Sequence, residues 1–548
     1  MTSARPGWTR RISPPLLLAF LFFILYVVFD VFQKKIIDND TCLWIRTGLQ
    51  IFQGDLTTLR FYGDVPAVSP LVYAPGFPFL IGLTNLVFGD PIFCARLVSL
   101  LAAAATLLVI YGLAKEIFGP RIGLIALIFS GVYTPLVNSA ATELPVSTAV
   151  FFFVLSAYAF VLSFRRKGAF YPLAAGIAGG LAVLTRFEYA LYIVLFAVLL
   201  VWKIRRRRVP FPTLVLFGAA AAFVYGLYAV PLYLNSGYVL VSPSIGGKIR
   251  APSFPEKPHP NAARYLRLNE TERIMLFNRN TASTATLAVQ NRVRVSAEDW
   301  EKFGAAEGRD PALRSGRLGN YAVFFKRYAP KLFRLYLLPL LLLGTVHVLR
   351  GKGASSGILF LLVGVTIAVF PLGNVDTDRY FFPVIPLLLI LASAGILELE
   401  TILRTFHDAG WILPAMIVLL VGGFVANDIR SLVFSFTPQD RAWLKSGEYL
   451  RTRASAEDIV MSRKRYPAFF GGLKISVLPD ENLEDVWEYA RFIGADYLVV
   501  DRGLTAALMP QYERLLGDAL PSCLEPAAAF FPGTADETRV LKFRWDRP

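Results

Sequence analysis

The sequence predicts a polytopic α-helical membrane protein with about eleven transmembrane helices and a small external α/β domain at its C-terminus. Three observations lead to this class. Of the 548 residues, 55% are hydrophobic and only 18% are charged, whereas soluble proteins carry about a quarter charged residues. The apolar residues fall in blocks long enough to cross a bilayer, which takes about 20 residues per helix. The positive charges gather in alternate connections between these blocks.

The apolar blocks are the candidate membrane helices. The first covers residues 14–32 and follows a basic N-terminus. It is long for the core of a signal peptide, and no small-residue cleavage site follows it, so we expect a retained helix. The other blocks lie near residues 93–114, 122–137, 145–164, 171–185, 189–203, 211–232, 332–349, 355–373, 380–397 and 411–427.

The loop charges give these helices a direction. Cytoplasmic loops of membrane proteins are enriched in Lys and Arg, so we expect the N-terminus to be cytoplasmic. The inner connections then carry the basic residues Lys115, Arg121, Arg165, Arg166, Lys167, Lys203, Arg205 to Arg208, Arg350 and Lys352. The net charge of +16 therefore indicates membrane topology and lipid contact rather than nucleic-acid binding. The C-terminal tail is then predicted to be external.

Two domains follow from this topology. Residues 1–435 form the predicted transmembrane domain, with external loops at 33–92 and 233–331. Residues 436–548 form the predicted external α/β domain. Its helical patterns cover 437–453, 481–493 and 504–517, and its strand-like runs cover 458–462, 474–478, 497–501 and 539–545. It has no Gly-rich phosphate loop, and it could either help to bind an acceptor or cap the membrane domain.

Cysteine and histidine are too scarce to indicate a cross-linked or metal-based site. Cys42, Cys94 and Cys523 share no motif spacing, and the three histidines are scattered. The sequence therefore predicts neither a disulfide framework nor a metal centre.

Acids at external helix boundaries are the first candidates for chemistry, because charges are costly there unless they act or pair. Asp38 and Asp40 follow the first helix, and Trp44 comes four residues later. The two carboxylates could act as a base or bind a cation. Alternatively, Asp40 caps a short helix that starts at Thr41. Glu143, at the turn before the block 145–164, offers a second carboxylate at the same depth, or only favours a helix dipole.

Two further clusters are candidates for binding a phosphate. Arg186 could hold a phosphate with its planar guanidinium, or simply neutralise Glu188. Asp378, Arg379 and Tyr380 precede a late membrane helix, where a basic residue and an aromatic one are also common interfacial anchors. Under the predicted topology all these clusters lie on the external side.

The order of several short motifs resembles that of the GT-C superfamily of integral-membrane glycosyltransferases. The likeness extends to bacterial relatives of protein O-mannosyltransferases and lipid A aminoarabinose transferases, and covers most of residues 15–400. The matching segments are Asp40 to Trp44 with Gly54 and Asp55, Tyr73 to Leu80, Ala95 to Ser99, Thr142 to Pro145, Leu184 to Glu188, and Arg379 to Pro383 with Pro386. Thr41, Glu143 and Phe187 depart from the usual Glu, Asp and Pro.

The resemblance implies an inverting glycosyltransferase that moves a sugar from a polyprenyl-phosphate donor to an external acceptor hydroxyl of a glycan, lipid or protein. Asp40 would be the general base, with Asp38 in reserve, and Glu143 would support it. Arg186, Arg379 and Tyr380 would bind the donor phosphate. Trp44, Glu188 and Asp378 would orient the acceptor. The resemblance implies no further cofactor and leaves open whether a divalent cation takes part.

Two alternatives belong to other functional classes. A transporter or lipid flippase of the cell envelope would also have many helices and boundary charges. Transporters tend to contain internal repeats and helices broken at the midplane, whereas the acids here lie at boundaries. An assembly partner of an envelope complex, binding through the external tail, is the second alternative.

Overall fold

A computed structural model of the chain describes residues 13–32, 37–54, 74–236, 337–350, 356–369, 381–405, 411, 414–419, 421–423, 437–478, 483–507 and 509–545. These residues divide into two compact units. The first unit takes its residues from Met1–Gln33, Arg96–Tyr225 and Asp310–Val433. The second takes them from Lys34–Ala95, Gly226–Arg309 and Phe434–Pro548. The division predicted between residues 435 and 436 remains a prediction, and most of the predicted loop 233–331 lies outside the described residues.

Apolar helices dominate the chain before residue 437. In chain order they are α1 (Pro14–Phe32), α2 (Thr41–Phe52), α3 (Gly76–Phe88), α4 (Pro91–Phe118), α5 (Pro120–Val132), α6 (Thr134–Ala140), α7 (Val146–Arg165), α8 (Phe170–Thr185), α9 (Ala190–Arg205), α10 (Phe211–Ser236), α11 (Leu338–Arg350), α12 (Ser356–Val369) and α13 (Val384–Arg404).

Six helices within the described residues are long and apolar enough to cross a membrane. The pair α5 and α6, which bends by 63° at its break, would be a seventh. This confirms a multi-pass membrane protein. The predicted total of eleven spans stays a prediction, because apolar helices such as α8 and α11 are shorter than a full span.

The surface of α1 shows why these helices belong in lipid. Leu17, Phe20, Leu21 and Ile24 are all between 44% and 57% exposed. A stripe of exposed large apolar side chains is unfavourable in water and favourable against acyl chains. The opposite side of α1 packs on α5, where the buried Tyr26 hydroxyl donates a 3.0 Å hydrogen bond to the carbonyl of Gly131.

Glycines bring α11 and α13 into close contact. A Cβ atom on Gly344 would collide with the carbonyl oxygen of Leu391, and one on Gly395 would collide with that of Leu340. Small residues allow this approach in membranes, where helices associate by direct van der Waals packing. The two glycines therefore fix the position of α13 against α11.

The tail forms a small α/β domain, as predicted. Its elements are α14 (Pro438–Arg453), β1 (Ile459–Ser462), α15 (Tyr466–Gly471), β2 (Lys474–Val477), α16 (Leu483–Ile493), β3 (Tyr497–Asp501), β4 (Leu524–Phe530) and β5 (Thr538–Phe543). The strand order is β2-β1-β3-β5-β4. Strand β1 pairs in parallel with β2 and β3, whereas β5 pairs antiparallel with β3 and β4.

The start of α14 matches its sequence signature. Thr437 and Asp440 form a reciprocal capping box, and Pro438 occupies the first turn. Such caps satisfy backbone N–H groups that have no partner inside the helix. The helix therefore begins where the Thr-Pro pair predicts.

The prediction of one helix over residues 504–517 is wrong. The structure has a π-helical turn at Arg502–Ala506 and a 3₁₀ segment at Pro510–Leu516. The buried Asp501 carboxylate accepts hydrogen bonds from the backbone N–H groups of Leu504 and Thr505. Pro510 has no N–H to continue a helix, so the segment stays in two short pieces.

Two elements of the tail were missed. Strand β4 reads Leu-Glu-Pro-Ala-Ala-Ala-Phe, which carries a proline and little alternation. It lies at the edge of the sheet with a register shift between Pro526 and Ala528, a position where strands tolerate proline. Helix α15 has only 6 residues, too few for a periodic signal.

The glycine contact between α11 and α13 can be tested by adding one methyl group. Gly395→Ala should lower the free energy of unfolding by about 1–3 kcal/mol, because the new Cβ atom displaces backbone. The control is Gly364→Ala on α12, where no described atom lies within 4 Å of the added Cβ. Thermal unfolding in detergent measures both variants, and equal midpoints would contradict the close contact.

Candidate active site

Helix α2 carries Asp40 immediately before its first residue, and it is held firmly against α3. A Cβ atom on Gly48 would collide with the carbonyl oxygen of Pro78, so the two backbones touch. Trp44 packs edge-on against Phe77 with ring centroids 6.0 Å apart. This packing fixes where the start of α2 lies within the second unit.

Asp40 occupies the N-cap position of α2 but does not cap it. Within the described segment 37–54, its side chain makes no capping hydrogen bond. Its carboxylate Oδ1 instead accepts a 2.8 Å charged hydrogen bond from Nη1 of Arg465. The Asp40 side chain remains 33% exposed. The capping alternative for Asp40 is therefore wrong, and the carboxylate is both oriented and accessible.

Arg465 comes from the tail domain, in the turn between β1 and α15. Its side chain is only 7% exposed. Its backbone N–H donates to Asn39 Oδ1 at 2.8 Å, and its guanidinium lies 3.4 Å from the Asn39 carbonyl oxygen. The tail domain thus binds the turn that contains Asp40 through both backbone and side chain.

A second cation reinforces this contact. The guanidinium of Arg46 donates to the carbonyl of Phe469 at 3.5 Å and lies 5.8 Å from the centre of its ring. Burial lowers the pKa of Arg46. The contact places Arg46 between α2 and α15.

Two weakly acidic side chains near Asp40 stay neutral. Burial raises the pKa of the Cys42 thiol and of the Tyr466 hydroxyl far above the physiological range. A neutral buried thiol is a poor nucleophile, and a neutral phenol does not serve as a base. Asp38 and Asp40 are therefore the groups of this cluster suited to accept a proton.

Asp38 supports the same turn. Its Oδ1 accepts a 2.9 Å hydrogen bond from the backbone N–H of Asp40. Its carbonyl oxygen accepts another from Thr41. The side chain of Asp38 therefore shapes the backbone around Asp40, and its predicted role as a reserve base stays a prediction.

Glu143 lies in the first unit and is fully buried. Its Oε1 accepts a 2.6 Å charged hydrogen bond from Nε of Arg96, and the same nitrogen lies 3.8 Å from Asp30 Oδ1. Ser99 donates to the carbonyl of Leu144 and ties the turn to α4. Glu143 is thus a buried carboxylate that is paired with a cation. Because Asp40 belongs to the other unit, the predicted pairing of the two carboxylates stays a prediction.

Arg186 and Glu188 pair with each other in the short connection before α9. The Arg186 Nε donates to Glu188 Oε1 at 2.5 Å, and both side chains are less than a fifth exposed. The self-neutralising alternative accounts for this contact. Phosphate binding by Arg186 stays a prediction.

Of the remaining predicted residues, Trp44 is described by the structure and three others are not. Trp44 is 5% exposed and serves as a packing residue of α2, so its predicted contact with an acceptor is a proposal only. Asp378, Arg379 and Tyr380 lie outside the described residues.

The carboxylates near Asp40 and those near Glu143 offer few ligands for a metal ion. Among the residues that the structure describes, no three His, Cys, Asp or Glu side chains come together as a metal-binding group. The Asp40 carboxylate already meets a cation in Arg465.

The sequence did not single out Arg465 or the Asp30–Arg96 pair. Arg96 stands inside an apolar block, at a position where an unpaired charge is costly, and that anomaly could have marked it. Arg465 lies 425 residues from Asp40, in a loop with ordinary composition. No local pattern indicates that contact.

Solved structures share this architecture. The Archaeoglobus fulgidus oligosaccharyltransferase tethered with an acceptor peptide has a TM-score of 0.60 at 13% identity, over 89% of this chain and 69% of its own. The AglB oligosaccharyltransferase from the same organism, in complex with an inhibitory peptide and a dolichol-phosphate, has a TM-score of 0.57 at 14% identity, over 97% and 75%. Arabinofuranosyltransferase AftD from Mycobacteria has 0.53 at 13%, over 97% and 40%.

These likenesses define the class of protein: a multi-pass membrane protein with the predicted GT-C-like fold and a small C-terminal sheet domain. A family model described as dolichyl-phosphate-mannose-protein mannosyltransferase matches residues 70–228. That segment contains Arg96, Glu143 and the Arg186–Glu188 pair. No curated protein sequence matches the chain.

The Arg96–Glu143 pair predicts a stability effect. Arg96→Met should lower the free energy of unfolding by about 3 kcal/mol, because Glu143 loses its cation in a buried environment. The control is Arg166→Met, whose 51% exposed side chain pairs with Glu116 and should change stability by less than about 0.5 kcal/mol. Unfolding in detergent measures both. Equal losses would show that the buried pair is no stronger than a surface one.

Proposed function

We propose that the chain is a glycosyltransferase. It moves a sugar from a polyprenyl-phosphate donor to an acceptor hydroxyl on the external face of the membrane, with inversion at the anomeric carbon. The fold supports this, because the compared proteins are transferases of sugars and one of them binds a dolichol-phosphate. The family match supports the same donor class.

The observation that carries the proposal is the state of Asp40. In a chain this apolar, Asp40 is a carboxylate with a third of its side chain exposed, oriented by Arg465 rather than used as a helix cap. An oriented, accessible carboxylate is what a general base requires. Its position before α2 also matches the first-loop acid of the resemblance.

The reaction is a direct displacement. The acceptor oxygen attacks the anomeric carbon as its proton passes to Asp40. The bond between that carbon and the phosphate oxygen breaks, and polyprenyl phosphate leaves with the electron pair. Arg186, Arg379 and Tyr380 stabilise the developing charge on that phosphate, the kind of interaction that contributes most in such sites.

The other residues have supporting roles in this proposal. Glu143, fixed by Arg96, orients the acceptor or supports the base. Asp38 holds the backbone of Asp40. Trp44, Glu188 and Asp378 orient the acceptor, which is a glycan, a lipid or a protein. The protein works in a bacterial inner membrane with a cytoplasmic N-terminus and a periplasmic tail.

The transporter alternative has one observation in its favour, the 63° bend between α5 and α6. Broken helices line the substrate path of many transporters near the midplane. Here the bend lies at the break between α5, which has 13 residues, and α6. The turn that contains Glu143 follows α6 directly. In the proposed transferase, the bend serves to position the turn that contains Glu143.

Substituting the base tests the chemistry. Asp40→Asn should reduce sugar transfer by at least about 100-fold, because an amide cannot accept the hydroxyl proton. Polyprenyl-phosphate mannose serves as the probe donor, with membranes supplying the acceptor and transferred label as the readout. Asp90→Asn is the control, since Asp90 caps α4 and Asn caps equally well. Near-normal transfer by the Asp40 variant would remove Asp40 from the mechanism.

The sidedness can be tested separately. Alkaline phosphatase fused after Pro548 should be active, because this enzyme folds only outside the reducing cytoplasm. A fusion after Lys167, in the connection between α7 and α8, should be inactive. The reverse pattern would invert the topology and place Asp40 and Glu143 on the cytoplasmic side.

A further inference from the structure

The turn between β1 and α15 occupies a special place in the tail domain. Strand β1 lies between β2 and β3 and is parallel to both. Arg465 follows the last residue of β1 by three positions, so it lies at the carboxyl edge of these three strands. Open α/β sheets bind their ligands at that edge. Here the edge presents Arg465 to the Asp40 turn.

The burial of Arg465 sets a condition on its side chain. A buried guanidinium is costly unless an opposite charge and hydrogen-bond acceptors meet it. Its 2.8 Å bond to Asp40 supplies that charge. The local turn is itself fixed, because the Ser462 hydroxyl donates to the carbonyl of Lys464 at 2.6 Å.

We propose that Arg465 is a positioning residue for Asp40, so that the tail domain completes the transfer site rather than only capping the membrane domain. The inference rests on the proposed function, in which Asp40 is the base. The ion pair through Oδ1 restrains the rotation of a carboxylate that is otherwise partly exposed. Without it, Asp40 would spend less time in the orientation that accepts the acceptor's proton.

Docking of the tail does not depend on the guanidinium alone. The backbone N–H of Arg465 binds Asn39, and Arg46 binds the carbonyl of Phe469. Both contacts remain when only the head of the Arg465 side chain is changed. The effect of losing the guanidinium can therefore be separated from the effect of losing the docked domain.

The first experiment compares Arg465→Gln with two control variants in the sugar-transfer assay, using polyprenyl-phosphate mannose as the probe donor. Arg465→Gln should lower kcat by about 10- to 100-fold, the size expected when a catalytic group loses its orientation, while KM for the donor changes little. Asn39→Ala removes a docking acceptor and should have a much smaller effect on kcat. Lys474→Gln removes an exposed ion pair with Glu457 in the same domain and should behave as wild type.

The outcomes separate the two proposals. If Asp40→Asn is inactive and Arg465→Gln has a wild-type kcat, the positioning role is wrong and the proposed function stands. If Asn39→Ala and Arg465→Gln lose kcat equally, Arg465 acts only in docking, and the inference is again overturned. If Asp40→Asn retains transfer, the base assignment fails and the inference fails with it.

A second measurement does not require transfer activity. Carbodiimide labelling of the full-length protein, followed by mass spectrometry, reports how accessible the Asp40 carboxylate is. Arg465→Gln should increase labelling of Asp40 several-fold and leave that of the exposed Glu457 unchanged. Should Arg465→Gln fail to accumulate, Arg465→Met replaces it in both assays, since Met keeps a long side chain but carries no charge. Unchanged kcat and unchanged labelling in that variant would overturn the inference.

Discussion

An apolar environment makes an unpaired charge costly, and this constraint governs where the protein keeps its ionic side chains. Glu143 is fully buried and meets Arg96, while Glu398 is 7% exposed and meets His347 and Arg350. Arg465, buried in the tail domain, meets Asp40. Each pair joins two different parts of the chain, so each also fixes a tertiary contact. The charges that a function could use are thus the same ones that hold segments in place.

The sequence predicted those features that depend on long, repeated patterns. The apolar blocks became helices because roughly 20 consecutive apolar residues have few other stable arrangements. In the tail, short strand-like runs predicted β1, β2, β3 and β5, whereas β4 was missed because it contains Pro526 and a run of alanines, which are uncommon in strands. The segment after Asp501 was predicted as one helix and is not, because Pro510 has no N–H group to continue a helix.

The candidate site was predicted in part, for a related reason. Asp40 and Glu143 stand out because acids at helix boundaries are rare, and position along the chain is enough to find them. Their partners are brought to them by the tertiary structure, because Arg465 lies 425 residues from Asp40 in the sequence and Arg96 lies 47 residues from Glu143. The sequence was compatible with two roles for the tail, namely binding an acceptor or capping the membrane domain. The contact with Asp40 supports the third role proposed here, in which the tail orients this carboxylate.

The buried thiol of Cys42 can report how often the structure near this contact opens. The thiol is fully shielded at the first turn of α2, close to Arg465 and Tyr466 of the tail. A reagent can reach this thiol only when the structure around the first turn of α2 opens, in the way that amide exchange reports local opening. The rate at which Cys42 reacts therefore measures how often the structure next to the Asp40 turn opens.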